Sequence, residues 1–382
     1  MIFPVKNLAV NWIDGMKVTK DNFIETDKHH HDIARDIVSL SLTGYNYGLL
    51  PAQTSTKEAF DLRVSENSAS GIHLKLYYCN AITVNGCRIC LTTDSPVLSA
   101  FLKNEKPVLD SNSESKSFDV VLTANPFDRV PAGNPDPEEN PPRHPFTDST
   151  YKLHIIPSEQ LNYAELGTYY LIIGKVKSKE GYFELENYIP PCTAVTSHSG
   201  LVGYYENLGS SADFIHNTSL KIMQKIFEKN KPSSIAKNFS MLCEKILGYT
   251  TNLFFLYRNS IPFTAPIYLV DAMSTLANLI RTTLYLIPPE EREELLKYIF
   301  EWCEVTPNAF EEELVKAIDI RYDHNNIIGS MDILTHFTQM LSAVWNKMNS
   351  LEYIGQRRES IVVKNEVVKQ VEPTKKRWSI LD

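Results

Sequence analysis

Apolar residues at Ile235, Phe239, Leu242, Ile246, Tyr249, Leu253 and Leu256 are spaced alternately by four and three positions. That is a heptad seam, the spacing with which one helix lays a narrow stripe against another. A helix over this stretch runs roughly 35 Å at 1.5 Å per residue, which is long for a small globule and reads as a rod. Two further segments share the period. One carries Leu269, Met273, Leu276, Ile280 and Ile287; the other carries Ile327, Met331, Leu334, Leu341, Trp345 and Met348. A shorter stripe, Ile215, Ile222 and Ile226, precedes them. Four rods with short connections predict an antiparallel helical bundle, or stalk. The seam residues serve either that bundle or a contact between copies of the chain, and the spacing leaves both uses open.

The helical block is expected over 210–352, starting near Ser210 or Ser211 with Asp213 as a cap. Shorter helices should start at Pro288-Pro289-Glu290 and Thr306-Pro307, where proline fits a first turn, and the last helix covers about 326–352. Upstream, residues 1–205 read as a β-rich domain. Residues 1–12 suggest a short strand and Asp14-Gly15-Met16 a turn. A helix follows over about 21–40, with Asp21 as N-cap and Ile24, His31, Ala34 and Val38 near one face. From 58 to 202 the pattern is mostly strands. Ile72, Leu74 and Leu76 alternate with His73, Lys75 and Tyr77, and Asn85-Gly86 signals a type I′ hairpin between 81–84 and 87–91. Segments 118–122, 151–156, 169–176 and 182–185 continue the series. The class is therefore α+β: an antiparallel β-sandwich or barrel-like shell, a helical-bundle stalk, and a short basic tail over 353–382.

Two segments stand outside this plan. Seven prolines crowd the stretch 125–148, a density that excludes a central strand and keeps the chain extended. With Arg129 and Arg143 it reads as a loop, an arm able to lie over a neighbouring subunit or partner. The tail carries Arg357, Arg358, Lys364, Lys369, Lys375, Lys376 and Arg377, ending in the apolar hook Trp378-Ser-Ile380-Leu381. It reads as a docking peptide or a frayed terminus.

The chemistry-bearing patterns are few. No Gly-x-Ser-x-Gly elbow, His-Glu-x-x-His, P-loop or dinucleotide fingerprint is present. The consecutive His29, His30 and His31 point about 100° apart on a helix and cannot close on one ion. Cys87-Arg-Ile-Cys90 lies in a strand-like segment, where residues three apart face opposite sides, and the six cysteines fit free thiols of a reducing compartment. The acidic runs near Glu290 and Glu311 sit at helix starts, where they offset the macrodipole. A net charge of −8 argues against nucleic acid as the partner. No uncharged run reaches membrane-spanning length. The expectation is a cytoplasmic, non-enzymatic protein without metal or cofactor.

Trp12-Ile-Asp14-Gly15-Met16-Lys-Val18-Thr-Lys-Asp-Asn-Phe23 resembles the opening signature of the TssK family, baseplate proteins of bacterial type VI secretion systems, which reads approximately Trp-x-Glu-Gly-Met-x-Leu-x-Pro-Gln-His-Phe. Trp12, Gly15, Met16 and Phe23 match outright, and Asp14 and Val18 match in kind. Lys20, Asp21 and Asn22 depart from the Pro-Gln-His portion. Tyr47-Gly48-Leu49-Leu50 and Ile189-Pro190-Pro191 resemble two further family features, and the order of parts agrees over about residues 8–350. The resemblance implies a homotrimeric adaptor at the cytoplasmic face of the inner membrane. Its shell would grip the baseplate wedge near Trp12–Phe23, and its far end would meet a membrane-side component. The family's C-terminal head has no counterpart after Glu352, which suggests a divergent subtype of the kind found in Bacteroidetes, with Trp378, Ile380 and Leu381 as the membrane-side contact. Two rival readings remain: a phage-type tail or receptor-binding protein, and a carbohydrate-active enzyme with a β-sandwich domain, whose paired carboxylates sequence separation would hide.

Overall fold

The computed structural model describes residues 4–52, 58–68, 71–103, 116–160, 166, 169–179, 182–228 and 231–355. Residues 4–12 form no strand. Their hydrogen bonds go instead to the helix behind them: Asp32 Oδ2 accepts from the amides of Lys6 (2.6 Å) and Asn7 (2.9 Å), and His29 Nδ1 donates to the Asn7 carbonyl (2.8 Å). That helix, α1 (Lys20–Ser39), begins at Thr19 rather than at Asp21. Asn22 Oδ1 accepts from the Thr19 amide at 2.8 Å, a side chain reaching back across the first turn.

The shell consists of two antiparallel sheets. In the first, β3 (Gly71–Ile82) pairs with β1 (Gly48–Leu49) and β2 (Phe60–Ser68), and also with β4 (Arg88–Leu91) and β5 (Leu98–Lys103). The second has the order β7 (Phe146–Pro157), β6 (Ser117–Ala132), β8 (Tyr170–Lys179), β9 (Tyr182–Leu185). The alternation read in the sequence holds on β3: Ile72, Leu74 and Leu76 are buried, while His73, Lys75 and Tyr77 are half-buried. The turn after β3 is not type I′. Gly86 has a positive φ of 81°, but Asn85 does not. Thr83 donates to Cys87 and Gly86 to Thr83, so this is the longer hairpin loop that ends on a left-handed glycine. The turn lies against α1, where a Cβ on Gly86 would sit 2.6 Å from the Arg35 carbonyl.

The proline-rich stretch is more ordered than a loop. Arg129 to Ala132 pair with Phe146 to Ser149, so β6 and β7 extend past the sheet as a two-stranded arm. A register shift between Asn125 and Arg129 absorbs Pro126. Because β8 flanks β6 only as far as Thr123, the arm has among the described residues no ladder on its outer side for Pro131 to interrupt.

The bundle begins earlier than its apolar stripe suggests. α2 (Ser199–Phe227) is capped by His198, whose Nδ1 accepts from the Gly200 amide at 3.0 Å; Asp213 lies inside the helix. Its first turns hold glycine and tyrosine, which blur the apolar period. α3 (Ser234–Asn259), α4 (Ile267–Leu286), α5 (Pro289–Cys303), α6 (Pro307–Ile318) and α7 (Ile327–Ser350) follow. Consecutive rods run antiparallel, and α5 with α6 forms one return rod, broken where Glu304 takes a left-handed φ of 61°. With five rods, α7 lies parallel to α2. Three hydrogen bonds climb the pair in order: Tyr204 to Asp332, Trp345 to Ser219, and Lys225 to the Leu351 carbonyl.

Seam residues Ile235, Phe239, Leu242, Ile246 and Leu253 are buried, and Tyr249 donates to the Ala272 carbonyl at 2.6 Å. Leu256 is 55% exposed, because α3 ends three residues later and its neighbours there turn away. The seam is thus occupied within one chain. One apolar core runs without a break from the shell through the bundle.

Candidate interaction surfaces

The signature residues gather at one corner of the shell. Gly15, at φ +80°, turns the chain, and the Met16 amide donates to the Ile13 carbonyl (3.3 Å). Trp12 then faces Phe23, with ring centroids 6.3 Å apart. Both are exposed, at 49% and 61%. Asp14 and Gly15 are also exposed, and Met16 is half-buried. The corner is held from below by Asp32, which is buried and bonded by Arg35 Nε at 3.0 Å. Burial alone would push this carboxyl up. The amides of Asn7 and Lys6, together with Arg35, reverse that and hold it below the usual carboxylate range.

This clasp inverts the expected polarity of α1. Asp32, Arg35 and Ser39 face the shell, and Phe23, Ile24, Ile33, Ile37, Val38 and Leu40 face solvent. The face read from the sequence, Ile24, His31, Ala34 and Val38, is exposed as well, and the most exposed apolar residues of the helix, Phe23 and Ile37, lie beside it. The Asp32-x-x-Arg35 spacing was the available signal.

The arm stands beside the same corner. Lys20, Arg129, Pro131, Pro142 and Phe146 line an open groove of about 1120 Å³ between them. Partial burial, and then the Arg129 guanidinium, hold His31 below the usual histidine range. Arg129 donates to the Thr147 carbonyl (3.2 Å), bracing the arm. Arg143 is engaged within the arm tip by both Glu139 oxygens (2.7 and 2.8 Å). Trp378, Ile380 and Leu381 lie outside the described residues.

A site that the sequence reading did not assemble joins shell to bundle. Tyr47-Gly48-Leu49 and Ile189-Pro190-Pro191 were quoted as separate features; in the structure they touch. Leu49 donates to the Pro191 carbonyl (2.7 Å), and Thr193 donates to that of Leu49 (2.9 Å). Gly48, at φ +109°, has Pro191 O only 2.0 Å from where a Cβ would lie. His324, on the α6–α7 connection, closes the junction. With its proton on Nε2 it donates to the Tyr47 carbonyl (2.9 Å), and Nδ1 accepts from the Tyr322 hydroxyl (2.7 Å). Burial pushes His324 down to about 4, against smaller upward pulls from the Tyr47 bond and Asp323.

Cys87 is buried and Cys90 exposed, and burial pushes the Cys87 thiol up to about 12. Among the described residues no three His, Cys, Asp or Glu side chains stand close enough to share a metal. No described helix is long and apolar enough to cross a membrane.

Two antiparallel sheets joined through one apolar core to a bundle of helical rods define a two-part α+β architecture. Within that architecture the fold is TssK-like. A crystal structure of TssK matches with a TM-score of 0.52 at 14% identity, covering 88% of this chain and 70% of that one. A chain of the baseplate complex from the type VI secretion system matches with a TM-score of 0.53 at 12% identity, covering 88% of this chain and 99% of that one. No protein-family model matches the sequence, and neither does any curated protein compared with it.

Proposed function

We propose that the protein is a non-enzymatic structural adaptor of a type VI secretion baseplate, acting in the cytoplasm as a homotrimer. The observation that carries this reading is the TssK-like fold over 88% of the chain. Two features of the molecule agree with it. The exposed corner at Trp12, Asp14, Gly15, Met16 and Phe23, with Arg129 and the arm, suits a grip on the baseplate wedge. The last described residue, Gly355, lies at the opposite end of the bundle, bonded to the Tyr298 hydroxyl. The 29-residue α2 separates these ends by about 43 Å. Residues 356–382 follow on from that end, and Trp378, Ile380 and Leu381 are assigned in this reading to a membrane-side partner.

Affinity purification of the tagged chain from cells assembling the secretion machine tests the reading. Wedge proteins should co-purify with wild type and be depleted with Trp12→Ser/Ile13→Ser. Removal of residues 356–382 should leave the wedge contact and remove another partner. Absence of every baseplate component from the wild-type sample would refute the assignment.

A further inference from the structure

The negative charge of the chain is concentrated in one rod. Residues 288–319, which form α5 and α6, carry ten carboxylates against three cations, a net −7 beside −8 for the whole chain. The helix dipole accounts for only two of them, Glu290 and Glu291 in the first turn of α5; the first turn of α6 has none. The three cations are already engaged. Lys297 bonds Glu293 (2.7 Å), Lys316 bonds Glu312 and Glu313 (3.0 and 2.9 Å), and Arg292 lies over the Tyr285 ring. Glu290, Glu304 and Glu311 pair with no cation among the described residues. The same rod exposes Phe300 (46%) and Val315 (36%). The last described residue sits on it. Leu351 and Ile354 are buried in the bundle, and the Gly355 amide donates to the Tyr298 hydroxyl on α5 (3.0 Å). Ser233 lies against Gly355, and its neighbour Ser234 donates to Glu294 (3.4 Å). Arg357 and Arg358 follow within three residues, so at about 3.5 Å per residue they stand no more than roughly 10 Å from Gly355.

We propose that residues 357–377 lie along the outward face of α5 and α6, a basic strap on an acidic rod. Charge complementarity and the point of departure both select this segment as occupant. It holds seven cations against three carboxylates. Its cations cluster at Arg357–Arg358 and Lys375–Arg377, and the rod's carboxylates cluster at Glu290–Glu294 and Glu311–Glu313. Sixteen residues separate the two basic clusters, enough to span up to about 55 Å. The same number separates the two acidic clusters, about 25 Å along the helices. Ile361 to Val363 supply apolar side chains for the exposed Phe300 and Val315. Each exposed ion pair is weak, but the strap is tethered to its site, so a high effective concentration sums them. Trp378, Ile380 and Leu381 lie beyond the strap and stay free for the membrane-side partner. The strap does not depend on the adaptor reading.

Limited trypsin digestion of the full chain tests the proposal, because the strap holds the cleavage sites. Glu290→Gln/Glu304→Gln/Glu311→Gln removes the unpaired carboxylates and should raise the cleavage rate within 357–377 about tenfold. Glu206→Gln/Glu244→Gln, at exposed positions of α2 and α3, should leave that rate at the wild-type value. In about 1 M salt, where the Debye length is about 3 Å, wild type should be cleaved as fast as the triple variant. Carbodiimide crosslinking of mixed isotope-labelled and unlabelled chains should join Lys364, Lys369, Lys375 and Lys376 to glutamates of α5 and α6 in the same chain. Equal cleavage of wild type and the triple variant would overturn the strap. So would links from these lysines to the shell or to another chain.

Discussion

Replacing His324 with glutamine should flatten the pH dependence of stability in a calculable way. The imidazole bridges shell and bundle as a neutral ring, with a hydroxyl donated to one nitrogen and a carbonyl receiving from the other. Its folded value is depressed to about 4 from 6.5. At pH 7 the ring is mostly neutral in both states and contributes little pH dependence. As pH falls below 6.5 the unfolded chain takes up a proton that the folded chain refuses, so stability drops. The loss levels off below pH 4, where both states are protonated. A shift of that size corresponds to about 3 kcal/mol in all, of which about 2 kcal/mol is lost between pH 7 and pH 5. Glutamine can keep the bond to Tyr47 O and cannot titrate. It should lower stability at pH 7 by about 1–2 kcal/mol through the Tyr322 contact it serves poorly. It should then lose about 2 kcal/mol less than wild type on going to pH 5. Urea unfolding at half-unit pH steps measures both. Other histidines held low by burial, such as His198 and His154, act equally in the two proteins and cancel in the difference. Parallel curves for variant and wild type would refute a buried neutral His324.

Gly48→Ala puts a methyl on the Pro191 carbonyl at positive φ, and should lower stability by roughly 3 kcal/mol or more in thermal melts. Asp32→Ala removes the acceptor for the Lys6 and Asn7 amides and for Arg35 Nε, while Asp36 still lies 3.9 Å from the guanidinium, and should destabilise by about 2–3 kcal/mol; residues 4–18 should also become the first site of limited proteolysis, having lost their anchor. Trp345→Phe removes the bond from Nε1 to Ser219 Oγ (2.7 Å) at a fully buried site, and should cost about 1–3 kcal/mol in chemical denaturation.

The bundle was readable because its signal is one-dimensional. A seam of Ile235, Phe239, Leu242 and Ile246 marks one face of a long helix for burial, and the structure buries it within the chain. Hairpin strands with alternating residues, such as Ile72–Leu76, are equally local. What escaped the reading depends on contacts between distant segments. Pro131 looks like a strand breaker until the β6–β8 ladder is seen to end at Thr123 and Tyr170, so that among the described residues none pairs with the arm on that side. Asp21 looks like a cap, yet Thr19 has Asn22 three residues on to return its bond. Residues 199–210 bury only Leu201 and Leu208 of the aliphatic stripe, and tyrosines supply much of the rest of their packing: Tyr205 and Tyr257 stack at 4.7 Å and each donates to the other's carbonyl. The candidate corner was visible as a motif; its outward exposure was not, since that follows from Asp32 taking the inward side of α1.

The junction determines how independently shell and bundle can move. A hinge would need few buried contacts between its parts. Here the shell contributes Tyr47, Gly48 and Leu49, the exit from β9 contributes Pro191 and Thr193, and the bundle contributes Tyr322 and His324. The Val195 amide adds a bond to the Thr264 carbonyl at the α3–α4 connection (3.1 Å). Two separate connections of the bundle are therefore fastened to the shell, and the apolar core passes between them. Rotation of the shell on the bundle would have to break the His324 bridge and part Leu49 from Pro191 together, exposing buried polar groups on both sides. Amide exchange of Leu49 and Thr193 should accordingly be as slow as that of the bundle core around Phe239. Exchange there at loop-like rates would mean that the shell moves independently of the rods.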